Sequence, residues 1–152
     1  MKQSYITIQL PFKDRGEEKS SGPETLEEIG AVQAALKSIN INQYTSFHFI
    51  GKSLGGLILQ RFIVQSSLFN THLVKFTILG YLIGDVTISS LKTKTYVIQG
   101  ENDPYGDPKL VQEELDFLKI SKLNIIIGAD HSYRNSRKNP VYQDTVVSLI
   151  EI

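Results

Sequence analysis

Phe47-His48-Phe49-Ile50-Gly51-Lys52-Ser53-Leu54-Gly55-Gly56 is the stretch from which the rest of the chain is read. The run from Thr45 to Ile50 has the composition of a buried strand. Gly51 stops it, a serine follows two residues later, and Leu57-Ile58-Leu59 opens a helical pattern. Strand, sharp turn and helix form the context in which a G-x-S-x-G motif presents a serine at the top of a sheet. Such a turn strains the serine backbone, so its neighbours must be small for the helix to start against the strand end. Gly51 and Gly55 are expected to meet that need. Ser53 would then project from the sheet, with the Leu54 N–H directed to where an oxyanion could form.

Glycine with serine is also ordinary turn composition, and five-residue matches arise by chance, so the strand and helix on either side carry the reading. Gly51-Lys52-Ser53 could instead end a phosphate-binding loop. That pattern needs a glycine at position 46, where Ser46 stands, and residues 47–50 read as strand and not as a glycine-rich cradle.

The chain has 152 residues, enough for one domain with a real core, and is read as a single domain over 1–152. Sixteen Lys and Arg balance sixteen Asp and Glu. That balance gives no reason to expect a nucleic-acid or anionic-membrane surface. With no cysteine, a disulfide framework and a thiolate zinc site are excluded. The alternation of polar and apolar residues from Met1 to Pro11 is unlike a signal peptide, and no stretch approaches the roughly 18 apolar residues of a membrane span. The expectation is a cytoplasmic protein without a membrane partner.

Ile6, Ile8 and Leu10 alternate with Tyr5, Thr7 and Gln9, which predicts a strand over Ser4–Leu10 ended by Pro11. A charged, glycine-containing connection follows. Pro23, then Thr25 and Glu28 at capping-box spacing, open an amphipathic helix carrying Leu26, Ile29, Val32, Leu36 and Ile39. Beyond the central motif the pattern predicts a helix to about Phe69, and strands over Leu73–Leu79 and Thr95–Gln99. Asp107 and Pro108 then open a helix with Leu110, Val111, Leu115 and Leu118 inside. A strand over Leu123–Ile127 follows, and a last helix opens at Pro140, carrying Val141, Val146, Val147 and Ile150. Strands alternating with helices predict an α/β domain with a largely parallel sheet covered on both faces.

A serine activated near neutral pH needs a base, nearly always histidine, and a carboxylate to orient it. The chain has three histidines. His48 lies within the strand that leads to the motif, and His72 precedes a strand at the opposite end of the sheet. His131 alone follows the C-terminal end of a strand on the Ser53 edge, where chemistry gathers in open α/β sheets. Asp103, after the strand Thr95–Gln99, is the preferred acid and Asp85 the alternative. Asp130 adjoins His131 and would have difficulty reaching its ring.

Serine, acid and histidine in that chain order resemble the α/β-hydrolase superfamily. Ile50-Gly51-Lys52-Ser53-Leu54-Gly55-Gly56, Gly100-Glu101-Asn102-Asp103 and Gly128-Ala129-Asp130-His131 look like its nucleophile, acid and histidine signatures. The likeness is closest to small members of the dienelactone-hydrolase kind, with serine in place of cysteine. It implies a truncated α/β-hydrolase core of about six strands and four helices, running from the family's fourth strand to its final helix. It also implies that the family's third strand, whose following loop supplies a second oxyanion N–H, is missing. Either the sequence is a fragment of a longer hydrolase, or Ser4–Leu10 pairs directly with Thr45–Ile50 in a reduced fold.

The resulting expectation is hydrolysis of an ester, thioester or similar acyl bond in a small-molecule or acyl substrate. Ser53 would be the nucleophile, His131 the base, Asp103 its orienter and the Leu54 N–H an oxyanion donor, without metal or organic cofactor. The segment Gly80–Leu91 is too short for a lid domain, so a shallow, open pocket is expected. A non-catalytic hydrolase-like binding domain is the alternative. Arg134, Arg137 and Lys138 could favour an anionic substrate or simply form a solvated face.

Overall fold

A computed structural model describes residues 4–116 and 121–150. The chain divides into two compact units, Met1–Thr45 and Ser46–Ile152.

In the first unit, Pro11 starts a single helical turn, α1 (Pro11–Asp14), and the longer α2 spans Leu26–Lys37. Phe12, Ile29 and Val32 are buried. The predicted capping box does not form. Thr25 has φ 52° and makes no side-chain cap, and the Glu28 carboxylate instead accepts from the backbone N–H and hydroxyl of Ser21, at 2.9 and 2.6 Å. A short 3₁₀ turn, Ile41–Gln43, closes the unit, with the Asn40 side chain accepting from the Asn42 N–H.

The second unit holds the sheet. Its strands are β1 (Ser46–Lys52), β2 (Leu73–Leu79), β3 (Lys94–Gly100) and β4 (Ser121–Ile126), all parallel and in sequence order. Three helices follow β1, β3 and β4 respectively: α3 (Leu54–Gln65), α4 (Pro108–Leu115) and α5 (Gln143–Leu149). Side chains alternate across the pleat, so the register sorts the core into two faces. Gly51, Ile78, Val97 and Leu123 form one row, and Phe49 and Phe76 lie on the same face. There α3 packs, with the Phe62 ring 5.9 Å from that of Phe49. Leu79, Ile98 and Ile126 point the other way, into a cluster with Val146 of α5, Ala129 and Tyr133. Helices therefore cover both faces, as the α/β pattern requires. Ile58, Phe76, Val97 and Ile98 are wholly buried, and each such side chain is worth about 1.5–3 kcal/mol.

The sheet has four strands among the described residues, where about six were expected. Ser4–Leu10 is not a strand, and β1 stands at an edge with β2 as its ladder neighbour, so the predicted pairing of Ser4–Leu10 with the central strand is not made. Tyr5, Ile6 and Ile8 are exposed. Alternation in sequence is a property of one segment, whereas a strand needs a partner ladder to satisfy its backbone. Leu110 and Val147 are also exposed, contrary to the helical pattern, and the last helix begins at Gln143, three residues after Pro140. Leu118 lies outside the described residues. No described helix is long and apolar enough to cross a membrane.

Candidate active site

Ser53 sits between β1 and α3 with φ 52° and ψ −122°, a backbone conformation that non-glycine residues rarely hold. Hydrogen bonds fix it on both sides. Its N–H donates to Leu79 O at 2.8 Å, and its carbonyl accepts from the Gly56 and Leu57 N–H groups at 2.9 and 3.2 Å, starting α3. The turn is tight because the helix backbone runs against Gly51. A Cβ there would lie 2.7 Å from Gly55 O and from the Gly56 backbone. Gly56 is similarly confined, its missing Cβ 2.9 Å from Ile78 Cγ2, whereas a Cβ at Gly55 would meet nothing within 4 Å. The steric requirement therefore falls on Gly51 and Gly56, not on Gly51 and Gly55. Leu54 is the first residue of α3, so its N–H has no acceptor within the helix.

Asp103 and His131 come from the loops after β3 and β4. The His131 Nδ1 lies 2.7 Å from Asp103 Oδ2, with the Asp103 side chain fully buried and the histidine 15% exposed. A carboxylate oxygen accepts, so Nδ1 is the ring nitrogen that donates to Asp103. The other Asp103 oxygen accepts from the Tyr105 N–H at 2.9 Å, and the Tyr105 ring meets the imidazole edge-on, centroids 4.9 Å apart.

Three contacts bring this pair to the serine's end of the sheet. Gly80, at φ 68°, lies against the ring: a Cβ there would be 2.9 Å from His131 Cε1. Gly80 directly follows Leu79, whose carbonyl holds the Ser53 N–H. Lys52, next to Ser53, donates to the His131 carbonyl at 3.0 Å and lies over the Tyr133 ring. Desolvation lowers the Lys52 pKa, against the opposing pull of Asp103 and Asp130. Among the described residues no hydrogen bond joins the Ser53 hydroxyl to His131, whose one side-chain hydrogen bond is to Asp103.

The other candidates are engaged elsewhere. Asp85 accepts from Arg61 Nη2 at 2.7 Å and from the Thr87 N–H at 2.8 Å, so its carboxylate serves the Val86–Ser90 turn. Asp130 accepts from the N–H groups of Ser132 and Arg134 and pairs with the Arg134 and Lys138 side chains. Two of the three loop cations are thereby committed to Asp130. His48 bonds Thr77 Oγ1 at 2.8 Å, and His72 bonds Thr71 Oγ1 at 2.7 Å. No group of three or more His, Asp or Glu able to hold a metal ion occurs among the described residues.

Two residues at the site carry no signal in the sequence. Gly80 opens the segment Gly80–Leu91, and its lack of a side chain makes room for the imidazole. Gln99, the next-to-last residue of β3, is wholly buried and its Nε2 lies 2.9 Å from Asp103 Oδ2. No local pattern in the sequence marks a glutamine aimed at a carboxylate.

A family model described as the alpha/beta hydrolase domain matches residues 7–150. The chain belongs to that family. Among solved structures, a protein described as a YdeN-like hydrolase from Pectobacterium atrosepticum aligns at 16% identity. The alignment has a TM-score of 0.67 and covers 93% of this chain and 71% of that one. A predicted CIB-like hydrolase from Thermoplasma acidophilum aligns at 18% identity and TM-score 0.56, over 76% of this chain and 51% of that one. A structure from a study of carboxylesterases of Nitrososphaera gargenis aligns at 13% identity and TM-score 0.54, over 76% and 67%. No curated protein matches. At these identities the structural likeness establishes the α/β-hydrolase fold. The chain spans about half the length of the Thermoplasma protein.

Proposed function

We propose that this α/β-hydrolase domain is a serine hydrolase of ester, thioester or similar acyl bonds. The observation that carries the reading is the 2.7 Å bond from His131 Nδ1 to a buried Asp103, made at the corner where Ser53 is held at φ 52°. The carboxylesterase study among the structural relatives supports an acyl substrate.

In the proposed mechanism the Ser53 hydroxyl attacks the acyl carbonyl while His131 Nε2 takes its proton. Asp103 holds the ring in the Nδ1–H tautomer and stabilises the imidazolium that forms. The Leu54 N–H, free of any helical acceptor, donates to the oxyanion. As the tetrahedral species collapses, His131 returns the proton to the leaving alcohol or thiol. Water, deprotonated by the same nitrogen, then releases the acid and regenerates Ser53. No metal or organic cofactor enters these steps.

Only one oxyanion donor is assigned. One such donor is typically worth about 10² to 10³ in rate, so turnover by these 152 residues is expected to be slow. Hydrolysis of p-nitrophenyl acetate tests the reading. The wild-type chain should show slow release of p-nitrophenol that Ser53→Ala and His131→Ala both remove. Release that survives both substitutions contradicts it. A folded chain with no turnover and no acyl-enzyme favours the non-catalytic binding domain.

A further inference from the structure

Gln99 is the next-to-last residue of β3; its side chain is wholly buried, and four polar atoms surround its amide. Oε1 accepts from the Tyr81 N–H at 2.7 Å. Nε2 lies 2.9 Å from Asp103 Oδ2, 2.8 Å from Gly106 O and 3.4 Å from Tyr81 O. This set fixes the orientation of the amide. Tyr81 N–H is a donor and must face oxygen, whereas the carboxylate and the two carbonyls are acceptors and must face the NH₂ group. One N–H of Gln99 therefore points at the same carboxylate oxygen that receives the His131 Nδ1 proton, and the Tyr105 N–H satisfies the other oxygen.

We propose that Gln99 is a positioning residue. It locks the Asp103 carboxylate in the rotamer that holds His131 as the Nδ1–H tautomer, and thereby fixes which imidazole nitrogen is free to accept a proton. The role rests on the hydrolase reading for its catalytic consequence, but not for the tautomer itself. Asp103 lies in a turn four residues beyond Gln99, and a buried carboxylate held only by its own turn and by the imidazole could rotate away from the ring. The Gln99 amide, anchored to the Tyr81 and Gly106 backbones, prevents that rotation. A hydrogen bond to a charged group, once lost, typically changes an equilibrium by about tenfold or more.

The experiment is long-range ¹⁵N NMR of the histidine rings in mildly alkaline buffer, on wild type and Gln99→Met. The Gln99→Asn variant is measured alongside: it keeps a buried amide and gives folding a second route. With three histidines in the chain, His131→Ala assigns the resonances. The wild-type His131 ring should be predominantly Nδ1–H, and both variants should shift the tautomer ratio toward Nε2–H by about tenfold or more. An unchanged ratio in a folded variant overturns the proposal. A double-mutant cycle on the fluorophosphonate reaction rate supplies the second reading. Gln99→Met should slow labelling in the wild-type background and add little to Asp103→Asn, whereas equal losses in both backgrounds overturn it. If the tautomer shifts as expected but wild type is not labelled at Ser53, the hydrolase reading falls and the positioning role stands.

Discussion

Ser53 holds a backbone conformation that costs a non-glycine residue about 1–3 kcal/mol, and Gly51 and Gly56 make it possible by letting helix and strand backbones touch. Gly51→Ala would drive a Cβ into backbone that cannot retreat without moving the turn at Ser53. It should lower the melting temperature clearly and abolish reaction at Ser53. Gly55→Ala is the control from the same motif: its Cβ meets open space on a helix, so a stability gain of up to about 1 kcal/mol is expected, with the turn at Ser53 unchanged. Equal destabilisation by the two, measured by thermal denaturation, would contradict this division. The two acid candidates separate similarly. Asp103→Asn should leave the fold intact and lower ester hydrolysis by about 10⁴, since the histidine tautomer is no longer enforced. Asp85→Asn should leave hydrolysis nearly unchanged and cost about 1–3 kcal/mol through the bonds from Arg61 and Thr87. The positions of Ser53, Asp103 and His131 after strand ends were legible, because a strand end is a local feature. Gln99, Gly56 and Gly80 were not, because what they touch is distant in sequence or set by how closely a helix approaches a strand.

At the scale of elements, the periodic segments read well where tertiary contacts agreed with them. The strand Leu73–Leu79 has the predicted limits, and the other strands of the sheet shift by one or two residues. Ser4–Leu10 shows the failure, since perfect alternation specifies which face would be buried and says nothing about whether a partner exists. The capping box failed for a related reason: Glu28 found better donors in Ser21 than at Thr25. Within β1, His48 makes a prediction about pH. Burial, helped by Lys75 on the adjacent strand, lowers its pKa to about 4, below the ordinary 6.5. The unfolded chain therefore binds more protons between those values, so this residue's contribution to stability is present above pH 6.5 and is lost as pH falls toward 4. His48→Gln should flatten the pH dependence of denaturant unfolding across that window relative to wild type. Identical slopes in the two proteins would show that His48 is not held neutral.

For the whole molecule, the informative fact is convergence. Ser53 after β1, Asp103 after β3 and His131 after β4 all stand at the carboxyl ends of parallel strands within the unit Ser46–Ile152, and Asp103 and His131 are in contact there. The parallel order of the sheet produces this, because every strand delivers its following loop to the same edge. That much was visible in the alternation of strand and helix patterns. The number of strands was not, because it depends on pairing and not on periodicity. The central claim, that Ser53 is an activated nucleophile, is tested most directly by treating the intact chain with a fluorophosphonate probe and mapping the adduct by peptide mass spectrometry. A single adduct on Ser53, absent from heat-denatured protein and lost in His131→Ala, is the predicted result. A folded wild-type chain that takes up no probe at Ser53, or takes it up equally without His131, would contradict the claim.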